Sequence, residues 1–215
     1  MLHQHSANTV ISALQTELAR AQELARHWEV LATTDDLTGL HNRRMLHEVD
    51  KRIAERRHPE RSNDLTLLFI DLDDFGKLNK NYGDDVGDEA LRLLGDTIRK
   101  NIRKDDIAIR KGGDEFVIIL MGSTPELASQ TVVKRLRLLL DGELSLTIGD
   151  VSVPIRGSIG IFAYNPSVSP FDNLKQADEA MRIQKRDRKA HQADVTPLSA
   201  LCLLPSAAQS FDQIK

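Results

Sequence analysis

The chain has 215 residues, of which 40% are hydrophobic and 28% are charged, and this composition excludes wholesale disorder. With 29 Lys and Arg against 32 Asp and Glu, the formal net charge of −3 leaves no basic surplus for binding nucleic acid or a membrane surface. The single cysteine, Cys202, excludes an intramolecular disulfide. Because the sequence shows neither a leader sequence nor the apolar run of roughly 18 residues that a membrane span needs, we expect a cytoplasmic protein.

The first segment, residues 10–32, contains neither Gly nor Pro, and its apolar side chains recur in alternating steps of three and four. This spacing predicts a helix with a narrow apolar seam. The seam consists of Ile11, Leu14, Leu18, Ala21, Ala25 and Trp28. Because a narrow seam needs a partner, we interpret residues 1–34 as a coiled-coil helix of a homodimer. Two seam positions are alanine, so a helix folded back on its own domain is the alternative.

Helix and strand patterns then alternate along the rest of the chain. Apolar residues at helical spacing predict four helices: residues 42–58, 86–102, 124–140 and 171–189. Short apolar runs between turn residues predict six strands: residues 65–70, 107–110, 116–120, 144–148, 151–155 and 158–164. This order predicts an α+β domain over residues 35–192, with a central mixed, mainly antiparallel sheet flanked by helices. Residues 193–215 contain prolines and serines and are predicted to form a loosely ordered tail.

Two acidic segments contain the candidate catalytic and metal-binding residues. Residues 112–115, Gly-Gly-Asp-Glu, lie between two predicted strands and indicate a hairpin turn whose glycines let another molecule approach the backbone. Residues 71–74, Asp-Leu-Asp-Asp, follow the buried strand 65–70. If that strand pairs beside the hairpin, Asp71 and Asp114 meet at one edge of the sheet, where two carboxylates favour Mg²⁺ and a nucleotide triphosphate. An ordinary glycine turn and an exposed acidic turn are the alternatives.

At these residues the sequence resembles the GGDEF-domain diguanylate cyclase family, whose signature matches Gly112-Gly113-Asp114-Glu115-Phe116. The supporting blocks, in chain order, are Asp35-x-Leu37-Thr38-Gly39-Leu40-x-Asn42-Arg43-Arg44, Phe69-Ile70-Asp71-Leu72-Asp73-x-Phe75, Asn79-x-x-Tyr82-Gly83-x-x-Val86-Gly87-Asp88, Ser158-Ile159-Gly160-Ile161 and Ala177-Asp178-Glu179-Ala180-Met181. The resemblance implies a palm-like core similar to that of nucleotidyl cyclases and polymerases.

The resemblance further implies that two GTP molecules are condensed into cyclic di-GMP with release of two pyrophosphates, each subunit of a homodimer holding one GTP. Asp71, the backbone carbonyl of Leu72, and Asp114 would hold Mg²⁺, with Mn²⁺ as the alternative metal. Asp114 would take the proton of the 3′-hydroxyl, with Glu115 beside it. No nucleic-acid partner and no membrane insertion are expected.

Substrate contacts are also implied by the resemblance. Asn79 and Asp88 match positions that read guanine, whose N1–H and N2–H₂ donors suit a carboxylate. Backbone amides around Asp74 and Phe75 would contact the phosphates. The remaining implied substrate-binding positions are Gly112, Gly113, Asp84, Lys185 and Lys189.

Arg103 and Asp106 match the Arg-x-x-Asp site through which members of this family are inhibited by their product. An arginine guanidinium can donate two parallel hydrogen bonds to phosphate or guanine, and an aspartate can accept hydrogen bonds from the guanine edge. A solvated charge cluster at a helix end is the alternative interpretation.

The sequence departs from the family at several of these positions. Gly76 stands where the family usually has a phosphate-contacting lysine, Asp84 stands in a frequent histidine position, and Lys189 replaces an arginine. These departures favour an alternative function: a weak or inactive domain that acts as a receptor for GTP or cyclic di-GMP. A cyclase for another base is disfavoured by Asp88. No motif identifies the input signal, so an unseen sensory partner or a longer parent chain is expected to supply it.

Overall fold

The structure, a computed structural model, describes residues 2–56, 64–165 and 167–194. The helices are α1 (Leu2–Thr33), α2 (Val49–Arg56), α3 (Phe75–Tyr82), α4 (Asp84–Asn101), α5 (Pro125–Gln130), α6 (Val132–Leu138) and α7 (Pro170–Asp194). The strands are β1 (His41–Asn42), β2 (Leu65–Leu72), β3 (Ile107–Gly112), β4 (Glu115–Met121), β5 (Ser145–Ile148), β6 (Val151–Pro154) and β7 (Gly157–Ala163). A 3₁₀ helix, Arg43–His47, precedes α2. The predicted tail from residue 195 onward lies outside the described residues.

A five-stranded sheet in the order β1-β3-β4-β2-β7 forms the centre of the domain. Its short edge strand β1 runs parallel to β3, and every other neighbouring pair is antiparallel. Strands β5 and β6 form a separate hairpin. The prediction of an α+β fold with a mixed, mainly antiparallel sheet flanked by helices is confirmed.

Both faces of the central sheet are buried, because successive side chains of each strand point to opposite faces and each face is covered. On one face, Leu68 and Ile70 of β2 belong to a core that includes residues of α4 and α6. On the other face, Leu67 and Phe69 pack in a second core with residues of α2 and α7. This two-sided burial determines the register of β2, since a shift by one residue would exchange the two sets. It thereby determines where Asp71 lies.

Two of the predicted helices are divided. The prediction of one helix from residue 42 is wrong, because Asn42 is extended and its side-chain oxygen accepts from the Arg44 N–H, which begins the 3₁₀ helix before α2. The prediction of one helix over 124–140 is also wrong. It breaks at Thr131, where φ is −117° and ψ is −96°. The Thr131 hydroxyl donates to the Leu127 carbonyl at 2.7 Å, a local bond that competes with helical geometry.

The seam of α1 is exposed in the described part of the helix. Ile11 is 53% exposed, Leu14 64%, Leu18 59% and Trp28 61%. The alternative prediction, in which α1 folds back on its own domain, is therefore wrong for these side chains. Pairing of the seam with a second copy stays a prediction. None of the described helices has the length and hydropathy needed to cross a membrane.

The last turns of α1 are joined to the domain by polar contacts. Glu29 pairs with Arg52 of α2 at 2.6 Å. The Asn42 side-chain amide donates to the carbonyls of Ala32 and Thr34, both at 2.9 Å, and thereby satisfies acceptors that a helix end leaves unpaired. The end of α1 is consequently held by residues of β1 and α2.

Candidate active site

Antiparallel pairing of β2 with β4 brings the two acidic segments together. Asp71 lies directly opposite Glu115 in the sheet register, and the Leu72 N–H donates to the Asp114 carbonyl at 3.4 Å. Strand β2 is two residues longer than predicted, so Asp71 and Leu72 are its final residues rather than part of the following loop. The structure thus places Asp71, Asp114 and Glu115 at one end of the sheet.

The end of β3 and the turn that joins it to β4, residues 112–114, are open. The strand register shifts between Arg110 and Gly112, and Gly113 has a φ of +55°, a conformation that favours glycine. A Cβ built on Gly112 or Gly113 would meet no atom within 4 Å. The turn therefore leaves space for a ligand beside the acidic end of β2.

Lys185 of α7 extends to this acidic end. Its ammonium contacts Asp71 Oδ1 and lies 3.6 Å from Asp73 Oδ1. Helix α7 can approach the sheet because β7 carries Gly160, where a Cβ would lie 2.8 Å from the Met181 Cβ, one turn before Lys185. Burial alone lowers the pKa of Lys185, but its bond to Asp71 and the neighbouring carboxylates raise that pKa above its ordinary value. Lys185 is therefore a cation at neutral pH.

The electrostatics of Asp114 indicate a place for a further cation. Burial raises the pKa of Asp114 above its ordinary value, and the charges of Asp71 and Glu115 raise it further, against the effect of Lys185. Carboxylates that repel one another are stabilised by a divalent ion between them. The carboxylates of Asp71 and Asp114, with the predicted contribution of the Leu72 carbonyl, would supply a hard oxygen set of the type that Mg²⁺ prefers.

This oxygen set does not enclose a metal by itself. Within the described ranges, no group of three or more His, Cys, Asp or Glu side chains is arranged to hold one. A magnesium ion in proteins keeps several water or phosphate ligands, so two carboxylates and a carbonyl suit a metal that arrives with a nucleotide.

Sequence reasoning assigned no role to Asp73, although the structure brings it into the site. Its Oδ1 accepts from the Ser158 hydroxyl of β7 at 3.0 Å and lies near the Lys185 ammonium. The sequence did contain a signal for this role, because Asp71 and Asp73 are two residues apart and such side chains share a face of an extended segment.

The turn that follows β2 is strained at Asp74. Its φ of 58° and ψ of 26° are left-handed, and it is the one non-glycine residue with a positive φ in the described ranges. Such outliers concentrate at functional sites. Helix α3 begins at Phe75, and the sequence analysis did not predict it. The first N–H groups of this helix lie beside the acidic end of β2. Free N–H groups at a helix N-terminus favour the binding of an anion.

Helices α3 and α4 bring Asn79 and Asp88 into one region. Asn79 Oδ1 is buried without a hydrogen-bond partner, and a Cβ on Gly87 would lie 1.9 Å from that oxygen. Gly87 therefore provides the space that Asn79 occupies. Asp88 is half-exposed and lies 4.0 Å from Arg92. A buried acceptor that lacks a donor is costly, and the N–H of a ligand would relieve that cost.

Of the other predicted substrate residues, Asp84 is exposed at the first position of α4. Lys189 belongs to α7, but its side chain lies outside the described part of the structure.

Arg103 and Asp106 lie far from these acids, in the connection that enters β3 at the end opposite the glycine turn. Asp106 is buried, and its oxygens accept from the Arg103 N–H at 2.7 Å and the Met121 N–H at 2.9 Å. Burial raises the pKa of Asp106 above its ordinary value. Arg103 is exposed and, with Lys104, lines an open cavity of about 410 Å³.

Comparison with known proteins identifies the class that this fold and site define. Residues 32–191 match the family model described as the diguanylate cyclase GGDEF domain. The chain belongs to the GGDEF family of diguanylate cyclases, as the motifs predicted.

Individual relatives extend this result. The chain is 36% identical over 173 residues to the probable diguanylate cyclase DgcC of Escherichia coli K12, covering 77% of this chain and 45% of that protein. It is 36% identical over 154 residues to the response regulator PleD of Caulobacter vibrioides, covering 70% of this chain and 33% of that protein. The chain thus spans less than half the length of these curated relatives.

Solved structures show the same fold. Diguanylate cyclase SiaD of Pseudomonas aeruginosa, crystallised with its activator SiaC, matches with a TM-score of 0.68 at 25% identity, over 86% of this chain and 72% of that chain. The coiled coil and GGDEF domain of DgcB from Caulobacter crescentus, in complex with c-di-GMP, matches with a TM-score of 0.67 at 24% identity, over 85% of this chain and 95% of that chain.

Proposed function

We propose that this protein is a diguanylate cyclase that condenses two GTP into cyclic di-GMP and releases two pyrophosphates, with one GTP on each subunit of a homodimer. The observation that carries the proposal is the convergence of Asp71, Asp114 and Glu115 beside the helix N-terminus that follows Asp74. Family membership supports the same reaction.

Asp71, the Leu72 carbonyl and Asp114 would hold the divalent cation, Mg²⁺ or Mn²⁺. When bound, such an ion neutralises the triphosphate and polarises the reacting phosphorus. Asp114 is the proposed acceptor of the 3′-hydroxyl proton. Glu115 lies beside it, held by Lys111 at 2.9 Å.

The remaining chain groups position the substrate. The amides at Asp74 and Phe75 would receive the phosphates, with Lys185 and Lys189 as cationic contacts. The buried Asn79 oxygen and the Asp88 carboxylate supply acceptors for the donors of guanine. Because both reacting hydroxyls belong to ribose, positioning and charge neutralisation provide most of the catalysis.

Product inhibition is the second part of the proposal. The cavity beside Arg103 is open and carries exposed cations, which suits the phosphates of cyclic di-GMP. Asp106 supports this site chiefly by holding the backbone of Arg103.

The test is the reaction with GTP and Mg²⁺, followed by pyrophosphate release and by chromatography of cyclic dinucleotides. Asp71→Asn and Asp114→Asn should each lower turnover by about 10²-fold or more, while Asp150→Asn in the exposed β5–β6 turn is the control and should stay active. Normal turnover by Asp71→Asn would contradict the site. Added cyclic di-GMP should inhibit the unaltered enzyme and should not inhibit Arg103→Ala.

A receptor for GTP or cyclic di-GMP is the second candidate, and Gly76 is the observation that favours it, because a phosphate-contacting lysine is missing there. The product assay with GTP separates the two functions: a receptor binds GTP or cyclic di-GMP in calorimetry but forms no product from GTP at any protein concentration.

A further inference from the structure

The turn that carries Asp114 is not held in place by packing. Gly112 and Gly113 are exposed, and neither would contact a neighbour even with a side chain. Two glycines in sequence also have the widest choice of backbone conformations. Directed hydrogen bonds, among them the bond from the Leu72 N–H to the Asp114 carbonyl, are therefore the interactions that can give this turn one conformation.

Arg110 at the end of β3 makes such a bond. Its Nε donates to the Gly113 carbonyl at 3.0 Å. That carbonyl belongs to the planar peptide unit that joins Gly113 to Asp114, so a bond to the oxygen also orients the Asp114 backbone. The site thus depends on a side chain that would not itself touch the substrate.

The guanidinium of Arg110 is anchored at its other end. Its Nη1 donates to both carboxylate oxygens of Asp35, at 3.3 Å each. The Arg110 side chain is 15% exposed and that of Asp35 is 20% exposed. An ion pair with this little exposure is screened less than a surface pair, and its geometry is correspondingly better defined.

Asp35 is in turn held by the turn after α1. Its Oδ1 accepts from the Thr38 N–H at 2.9 Å and from the Thr38 hydroxyl at 2.7 Å, and its own N–H donates to the Leu40 carbonyl at 2.8 Å. Burial alone raises the pKa of Asp35, but the Thr38 bonds and the Arg110 charge lower that pKa below its ordinary value. Asp35 is therefore ionised at neutral pH and lies two residues beyond the end of α1.

We propose that Arg110 is a positioning residue for the cyclase reaction, because it orients Asp114 through the Gly113 carbonyl and is itself held by Asp35 beside the end of α1. This inference rests on the proposed function. A displacement at the end of α1 that moves Asp35 would reach Asp114 through one side chain. Lysine cannot replace Arg110, because a single ammonium lacks the rigid fork that serves a carbonyl and a carboxylate together.

Arg110→Lys tests the positioning without any measurement of activity. In protein labelled with ¹³C at the glycine carbonyls, this variant should shift the Gly113 carbonyl resonance and leave that of Gly149, in the β5–β6 turn, unchanged. Arg135→Lys is the matched control, because Arg135 also donates to a backbone carbonyl, that of Asn101 at 2.9 Å, but lies outside the turn that holds Asp35. An unchanged Gly113 resonance in folded Arg110→Lys would overturn the proposal.

Kinetics supply the second measurement. Arg110→Lys should lower kcat by about 10- to 100-fold, since a small misplacement of a reacting group has an effect of this size, and should leave KM for GTP within about threefold. Asp35→Asn should act in the same direction, and the double variant should be no slower than the slower single variant. Arg135→Lys should keep the unaltered kcat.

An effect on KM alone, or additive losses in the double variant, would overturn the proposed positioning. Thermal unfolding establishes that each variant is folded. If the unaltered chain makes no cyclic di-GMP, the proposed function fails, whereas the Gly113 resonance still decides whether Arg110 holds the turn.

Discussion

Gly76 shows how one residue can change the phosphate side of the site. It lies in the first turn of α3, and a Cβ there would meet no atom within 4 Å, so a larger side chain fits without displacement. The neighbouring Lys77 is exposed and pairs with Asp74 at 2.9 Å. The cation expected at position 76 is therefore absent, and Lys77 is engaged with an acid of the turn.

Gly76→Lys should lower KM for GTP by about tenfold, because a charged hydrogen bond to phosphate contributes on the order of 1–3 kcal/mol. Gly76→Ala is the matched control. Both variants remove a helical glycine and should raise the thermal midpoint, since alanine in a helix is more favourable than glycine by about 1 kcal/mol. Steady-state kinetics and thermal unfolding of both variants make the comparison. Equal KM values for the two variants would show that position 76 does not contact phosphate.

At the scale of elements, α7 is the helix that completes the acidic site. It packs across β7 at Gly160, and it delivers Lys185 to the end of β2. This ammonium contacts Asp71, so α7 and the proposed divalent metal would share a partner. Metal binding and the stability of α7 should consequently influence each other.

Lys185→Ala should lower the thermal midpoint of the metal-free protein on the order of 5 °C, because Asp71, Asp73 and Asp114 lose their shared counter-ion. Adding Mg²⁺ or Mn²⁺ should raise the midpoint of this variant more than that of the unaltered protein. Lys175→Ala, exposed on the same helix, is the control and should respond as the unaltered protein does. The idea fails if Mg²⁺ stabilises all three proteins equally.

For the whole molecule, the proposed function makes activity depend on assembly, because each site would hold one of the two GTP molecules. The exposed seam of α1 is the surface through which two copies are expected to pair. Pairing would keep two domains at a high effective concentration and so allow the two sites to meet after dilution.

Leu14→Glu combined with Leu18→Glu should lower activity per subunit most at low protein concentration, since like charges oppose burial of the seam. Ser12→Glu with Thr16→Glu adds the same charge off the seam and serves as the control. Specific activity across a dilution series, with mass from light scattering, is the measurement. Equal activity of both double variants at every dilution would remove α1 from the mechanism.

Local patterns in the sequence were sufficient for strands β2 to β7, the glycine hairpin and the two acidic segments, but not for the two-residue strand β1. A buried strand is recognisable from a continuous apolar run, and a hairpin turn from adjacent glycines, because each pattern reflects the environment of neighbouring residues. Once the strands are known, β2 has few possible partners. Its pairing with β4 places Asp71 opposite Glu115. The family motifs added the implied roles of these residues.

Only the tertiary structure decided the contacts between segments remote in the chain. Lys185 contacts Asp71 although the two are 114 residues apart in the sequence, and Arg110 contacts Asp35 across 75 residues. Contacts over such separations produce no periodic pattern in the sequence. The fit of Gly87 around Asn79 likewise depends on how α3 packs against α4. The break at Thr131 escaped prediction because its hydrogen-bonding side chain competes with an otherwise helical apolar pattern. Apolar periodicity reports which side of an element is buried, whereas packing decides which partner it meets there.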